Sequence, residues 1–95
     1  MTRRTLADAD LHIDCRAHGG GWLCHVTVSD GASFTEHEIS ISQTELTRYG
    51  ADSTSLVALV SESFAFLLDR EPKESILRRF AISDIETYFP EFGRR

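Results

Sequence analysis

The chain has 95 residues, of which 41% are hydrophobic and 26% charged, and its net charge is −5 at pH 7. This length accommodates one domain with one core, and the composition is typical of a folded globular protein. Arg78–Arg79 is the main internal basic feature, so we expect no nucleic-acid binding. Residues 2–10 lack a signal-peptide pattern and no apolar run could span a membrane. We therefore expect a cytoplasmic protein without a membrane partner.

Residues 10–42 alternate between apolar and polar side chains, which predicts β-strands with one buried face. Glycines at 19–21 and a loop at 30–33 divide this stretch into three strands. Aligning the apolar faces places Cys15 opposite Cys24 and Cys24 opposite Ile39, because a one-residue slip would expose an apolar face. The sequence thus predicts a three-stranded antiparallel meander, preceded by a polar and flexible segment, residues 1–9.

Helices are predicted for the remainder of the chain. A capping-box pattern, Ser42–Glu45, opens a short helix over residues 43–49, and Gly50 follows it. A main helix is expected over residues 52–71, because Pro72 cannot continue it. Short helices are expected over residues 72–92, one reaching about residue 80 and another opened by a second capping box at 83–86. The predicted fold class is α+β, a three-stranded meander packed on one long helix.

The predicted main helix carries more apolar side chains than one contact face requires. At about 100° per residue, one arc holds the side chains expected to cover the sheet: Leu56, Val57, Val60, Phe64, Leu67 and Leu68. Leu59 and Phe66 fall outside that arc and form a second apolar strip. Either the C-terminal helices cover this strip, or it belongs to a surface for self-association or partner docking. The candidate anchors of such a surface are Leu59, Phe66, Tyr88, Phe89 and Phe92.

The polar face of the meander suggests a different chemistry. The predicted register places Asp14, His25 and Glu38 in one cross-strand row, and imidazole with carboxylate suits Zn, Fe or Mn. The alternative is a solvated face with cross-strand charge pairs. Cys15 and Cys24 are expected to be reduced in the cytoplasm, although their opposed positions allow a disulfide. We expect no cofactor.

Three segments near the C-terminus, Ser63–Pro72, Ser75–Phe80 and Ile85–Pro90, resemble a pattern in a group of short bacterial proteins without assigned activity. That resemblance implies a bacterial cytoplasmic protein and transfers no functional residue. The order of three strands and a helix also resembles HicB-type antitoxins and double-stranded-RNA-binding domains. Function is therefore expected to be non-catalytic: a small protein-interaction module, forming a homodimer or docking a protein partner through its helical side. The alternatives are a metal- or ligand-binding protein and an antitoxin-like regulator.

Overall fold

The computed structural model describes residues 10–94, so the segment predicted to be flexible, residues 1–9, lies outside the described residues. Its strands are β1 (Asp10–His18), β2 (Gly21–Ser29), β3 (Phe34–Ser42) and β4 (Arg79–Ala81). Its helices are α1 (Gln43–Arg48), α2 (Leu56–Leu68) and α3 (Ile82–Tyr88), with 3₁₀ helices at Lys73–Ser75 and Pro90–Arg94. The chain is an α+β protein, as predicted.

The sheet contains the predicted meander and one further strand. β1, β2 and β3 pair antiparallel in the predicted register, with Cys15 opposite Cys24 and Cys24 opposite Ile39. β4 adds to the outer side of β3 in parallel, which gives the order β1-β2-β3-β4. The three-stranded antiparallel sheet is thus correct for residues 10–42 and incomplete for the whole chain.

The predicted helix from Pro72 to about Phe80 is wrong. One 3₁₀ turn forms at Lys73–Ser75, and the backbone is already extended at Ile76, whose ψ is 134°. The Glu38 N–H on β3 then donates to the carbonyl of Arg78 at 2.7 Å. Pairing with β3 satisfies backbone groups that would otherwise lack partners, and burial of Ile76 accompanies it. Tertiary pairing therefore overrides the local helical pattern.

The first capping box forms as predicted. The Ser42 hydroxyl accepts from the Glu45 N–H at 3.0 Å, and the Glu45 carboxylate accepts from the Ser42 N–H at 2.8 Å. Gly50 follows with a φ of 74°, a left-handed conformation that glycine adopts without steric cost. The second predicted box, at residues 83–86, does not form, because α3 begins at Ile82 and Ser83 lies inside the helix. Asp84 instead accepts from the N–H of the N-cap residue Ala81, whose side chain has no oxygen to complete a box.

The main helix is shorter than predicted, with 13 residues from Leu56 to Leu68. Asp52 accepts hydrogen bonds from the backbone N–H groups of Thr54 and Ser55, which holds the preceding residues in a turn. Beyond Leu68, Asp69 is the C-cap, and the backbone N–H groups of Arg70 and Glu71 still bond to the Leu67 carbonyl. The helix thus loses residues at both of its predicted ends.

The buried face of α2 differs from the predicted arc. Its buried positions follow the spacing i, i+3, i+4: Leu56, Leu59, Val60, Ser63, Phe64 and Leu67. Val57, predicted to lie in the core, is 50% exposed. Ser63 takes a core position because its hydroxyl donates to the Leu59 carbonyl at 2.8 Å, so this buried polar group is paired. The buried face of α2 therefore includes Leu59 and Ser63 and excludes Val57.

A disulfide joins Cys15 of β1 to Cys24 of β2, which is the alternative to free thiols that their predicted opposition allowed. The two Cα atoms are 4.0 Å apart, because the residues are direct cross-strand neighbours. Cys24 is buried in the core and Cys15 packs against it. The bond therefore links the edge strand to the centre of the sheet.

We expect reduction of this disulfide to lower the free energy of unfolding. The bond closes a loop with a sequence separation of 9, for which chain entropy predicts a loss of about 2–3 kcal/mol. Urea unfolding with and without reductant measures the difference. A Cys15→Ala/Cys24→Ala variant is the control and responds equally in both buffers. Equal stability of the native protein in both buffers would contradict the prediction.

The capping box at α1 gives a second stability prediction. Ser42→Ala removes the acceptor for the Glu45 N–H, and loss of an N-cap side chain typically costs about 1 kcal/mol. Chemical denaturation measures this loss. Gln43→Ala, at an exposed position of the same turn, is the control and is expected to leave stability nearly unchanged. Equal stability of Ser42→Ala and the native protein would rule out a role for the cap.

Candidate docking site

An apolar cleft of about 160 Å³ opens on the helical side of the domain. It lies between the end of α2, the segment that returns to the sheet and α3. Its floor is apolar and buried, and consists of Leu67, Ile76 and Ile85. The complete lining is Leu67, Glu71, Ser75, Ile76, Leu77, Phe80, Asp84, Ile85, Tyr88 and Phe89.

Two large side chains stand at the mouth of the cleft. Leu77 is 49% exposed and Tyr88 is 66% exposed, while both line the apolar cavity. Glu71 and Asp84 also line the cleft and carry its carboxylates. The cleft therefore combines an apolar interior with negative charge, and no basic side chain of residues 10–94 contributes to its lining.

His37, a buried residue of β3, holds the backbone of Leu77 in position. The His37 Nδ1–H donates to the Leu77 carbonyl at 2.8 Å, and the Thr35 hydroxyl donates to Nε2 at 2.8 Å. A carbonyl only accepts, so neutral His37 carries its proton on Nδ1. The imidazole also packs against Phe64, with ring centroids 5.5 Å apart. His37 thus holds one wall of the cleft to the sheet.

Burial lowers the pKa of His37, because desolvation disfavours the imidazolium, and the nearby charge of Arg78 acts in the same direction. The hydrogen bond to the Leu77 carbonyl opposes this effect without reversing it. The folded domain therefore accommodates the neutral imidazole.

Both residues of the second apolar strip of α2 are covered within the domain, and the C-terminal segment covers Phe66. Leu59 and Phe92 are buried within the domain, and Phe66 packs on Phe89 and Phe92 at centroid distances of 5.9 and 5.0 Å. The Arg70 guanidinium lies 3.6 Å above the Phe66 ring. Leu59 and Phe92 therefore present no side-chain surface to a partner while this fold is intact, and Phe66 is largely covered.

Of the five predicted anchors, Tyr88 and Phe89 line the cleft. The sequence pattern did not identify Leu77 and Phe80, because the segment that contains them was assigned to a helix. The strand that contains Phe80 has only three residues, Arg79–Ala81, and three residues are too few to identify a strand from a pattern.

A charged side chain is also buried at a position where the sequence pattern does not indicate one. Lys73 is 6% exposed, and its ammonium lies 2.7 Å from carboxylate oxygens of Asp30 and Glu74. Hydrogen bonds to these carboxylates raise the pKa of Lys73, and the same bond to Lys73 holds the pKa of Asp30 far below its usual value. This group connects the β2–β3 loop to the segment that leads into the cleft.

A second polar contact attaches α3 to α1. The Tyr49 hydroxyl donates to Glu86 at 2.6 Å, and Arg48 lies 2.7 Å from the same carboxylate. Burial, followed by the hydrogen bond to Glu86 and then by the charge of that carboxylate, raises the pKa of Tyr49 to about 12. The hydroxyl therefore stays protonated and continues to donate at physiological pH.

The polar sheet face holds Asp14, His25 and Glu38 in the predicted row. The His25 Nε2, however, lies 3.1 Å from the carboxylate of Glu36, which belongs to the neighbouring row. Glu38 lies 3.4 Å from the guanidinium of Arg79. Across residues 10–94, no group of three or more histidine, cysteine, aspartate or glutamate side chains is placed to hold a metal ion. The arrangement matches cross-strand charge pairing on an open face.

Comparisons with protein-family models, with curated proteins and with solved structures find no significant match to this chain. Among the described helices, none has the length and apolarity needed to cross a membrane. The residues of the cleft therefore provide the basis for a functional proposal.

The buried imidazole predicts a pH dependence of stability. The pKa of His37 lies below its ordinary value of 6.5 in the folded state, so below pH 6.5 the unfolded chain binds a proton that the folded chain does not. Above pH 6.5, His37 is neutral in both states and its contribution to stability is complete. As the pH falls from 6.5 through the pKa of folded His37, that contribution is lost.

Urea unfolding between pH 7.5 and pH 5 tests this prediction. We expect the native protein to lose more stability over this range than His37→Leu, which has no proton to bind. The other titrating groups are common to both proteins, so the difference reports on His37. Parallel pH profiles for the two proteins would contradict the prediction.

Proposed function

We propose that this protein is a non-catalytic interaction module that docks a protein partner in the apolar cleft. The observation that carries the proposal is the pairing of a buried apolar floor with two exposed rim residues, Leu77 and Tyr88. Concave apolar surfaces of this kind are typical binding sites. Aromatic residues beside such a pocket often contribute most of the binding energy.

The size and charge of the cleft favour a particular kind of ligand. A volume of about 160 Å³ accommodates one large apolar side chain rather than a drug-sized molecule, since ligand pockets commonly span roughly 300–1,000 Å³. Glu71 and Asp84 favour basic residues beside that side chain, because opposite charges guide association and set register. The proposed ligand is a peptide segment with an apolar anchor flanked by lysine or arginine.

The same cleft would also serve the antitoxin-like alternative. A regulator that binds a basic partner would use the same apolar floor and the same carboxylates. The cytoplasmic location and the bacterial source remain predictions from the sequence.

A random peptide-display library tests the docking proposal, because it samples many ligand sequences and requires no identified partner. We expect the native protein to enrich sequences with Leu, Phe or Met next to Lys or Arg. A representative peptide is then titrated by calorimetry, and Leu77→Asp or Tyr88→Ala is expected to weaken binding about tenfold or more. Leu77 is half-exposed and Tyr88 is largely exposed, and neither belongs to the buried core.

Val57→Asp and Phe34→Ala are the matched controls, because these side chains are 50% and 60% exposed at positions outside the cleft. They are expected to bind the peptide as tightly as the native protein. Enrichment that is equal for the native protein and for Leu77→Asp would eliminate the cleft as the docking site. Absence of any enriched motif would do the same.

A further inference from the structure

The outer edge of β1 carries backbone groups that no strand among the described residues pairs with, because β1 is the first strand in the order β1-β2-β3-β4. It is nine residues long, contains no proline and pairs with β2 in an unbroken register. Natural proteins usually protect such an edge with a bulge, a proline, a short strand or charged side chains. This edge lacks the first three, and its charges are of both signs, so they oppose pairing with another chain in some registers and favour it in others.

The close Cα spacing of Cys15 and Cys24 identifies which backbone groups face outward. Antiparallel pairs alternate between a hydrogen-bonded spacing of about 5.5 Å and a non-hydrogen-bonded spacing of about 4.5 Å. At 4.0 Å, Cys15 and Cys24 belong to the closer, non-hydrogen-bonded type. The N–H and C=O of Cys15 therefore point away from β2, and so do those of Ile13 and Leu11.

An independent contact supports this assignment. Because pair types alternate along a strand, Asp14 and His25 form a hydrogen-bonded pair, next to the non-hydrogen-bonded pair of Cys15 and Cys24. His25 and Glu38, on the other side of β2, then form a non-hydrogen-bonded pair. The Glu38 N–H must in that case point away from β2. It does, because it donates to the Arg78 carbonyl on the β4 side.

We propose that β1 pairs antiparallel with β1 of a second copy of this chain, with the two-fold axis at Ile13. The outward groups of Ile13 then bond to Ile13 of the other copy, and those of Leu11 bond to Cys15. All three side chains lie on the core face, half-buried in the single chain and packed against its core. Pairing continues the apolar surface from one sheet into the other.

The polar face selects this register over its neighbours. Centred on Ile13, the pairing places His12 opposite Asp14, and Arg16 opposite Asp10, of the other copy. Centring on Asp14 would place two aspartates in direct opposition, and centring on His12 would oppose Asp10 to Asp14. Directly opposed like charges destabilise a sheet, whereas opposite charges stabilise it. A two-fold at Cys15 retains favourable charge pairs but opposes Ile13 to Ala17, which buries less apolar surface.

This surface lies on the edge of the sheet, and it is separate from the cleft because the two share no residue. The proposal therefore does not depend on the docking function. Leu77→Asp and Tyr88→Ala are expected to leave the dimer unchanged.

Sedimentation equilibrium of the full chain and its charge variants tests the proposal. We expect a dimer for the native protein and a dissociation constant raised about tenfold for Asp14→Lys, since both symmetry-related contacts between His12 and the Asp14 carboxylate are lost. The double variant His12→Glu/Asp14→Lys places glutamate opposite lysine in both symmetry-related pairs and is expected to restore the dimer to within about threefold. Glu36→Lys changes the charge equally on β3, away from the edge, and is expected to leave the dimer intact.

Cysteine cross-linking tests the register. Residues 12 and 14 of opposite copies would form a close non-hydrogen-bonded pair, within the Cα range of a disulfide. We expect a covalent dimer when His12→Cys and Asp14→Cys proteins are mixed and oxidised, with peptide mapping locating the 12–14 bond. A monomeric mass for the native protein from micromolar to millimolar concentration would overturn the proposal. So would a mixture that cross-links no more than either variant alone.

Discussion

The cleft on the helical side depends on one constraint: after α2, the chain returns to the sheet and adds β4 beside β3. The Glu38 N–H bonds to the Arg78 carbonyl, and the His37 imidazole bonds to the Leu77 carbonyl, so β3 holds this segment through its backbone and through a buried side chain. Burial of Ile76 and the pairing of Phe80 with Ile39 act together with these two contacts to fix residues 76–80. The cleft exists because this segment stands beside α3 rather than continuing as a helix.

The meander could be predicted because its alternation and its register have the same cause. An apolar face must be buried, and a slip by one residue would expose it, so the pairing of Cys15 with Cys24 followed from the pattern alone. β4 could not be predicted in this way. Three residues carry too little periodicity, and their pairing partners lie about 40 positions earlier in the chain, as the registers Ile39–Phe80 and Glu38–Arg79 show.

The candidate site was predictable in part, and Ser63 explains much of the remainder. A serine on a helix indicates a solvent-facing position unless its hydroxyl finds a partner in the helix itself, as it does at the Leu59 carbonyl. This bond allows Ser63 to occupy the buried face of α2, which also contains Leu59. Tyr88 and Phe89 were identified from their aromatic character, whereas the position of Leu77 depends on tertiary pairing that no local pattern encodes.

The two edges of the sheet are unequal, and this inequality limits how assemblies can grow. β1 offers nine residues for pairing, whereas β4 consists of three residues at the opposite edge. Head-to-tail stacking of β1 on β4 would gain few hydrogen bonds and would leave most of β1 unpaired. Open-ended fibres made by sheet extension are therefore disfavoured, and an edge that pairs with its own copy closes after two chains.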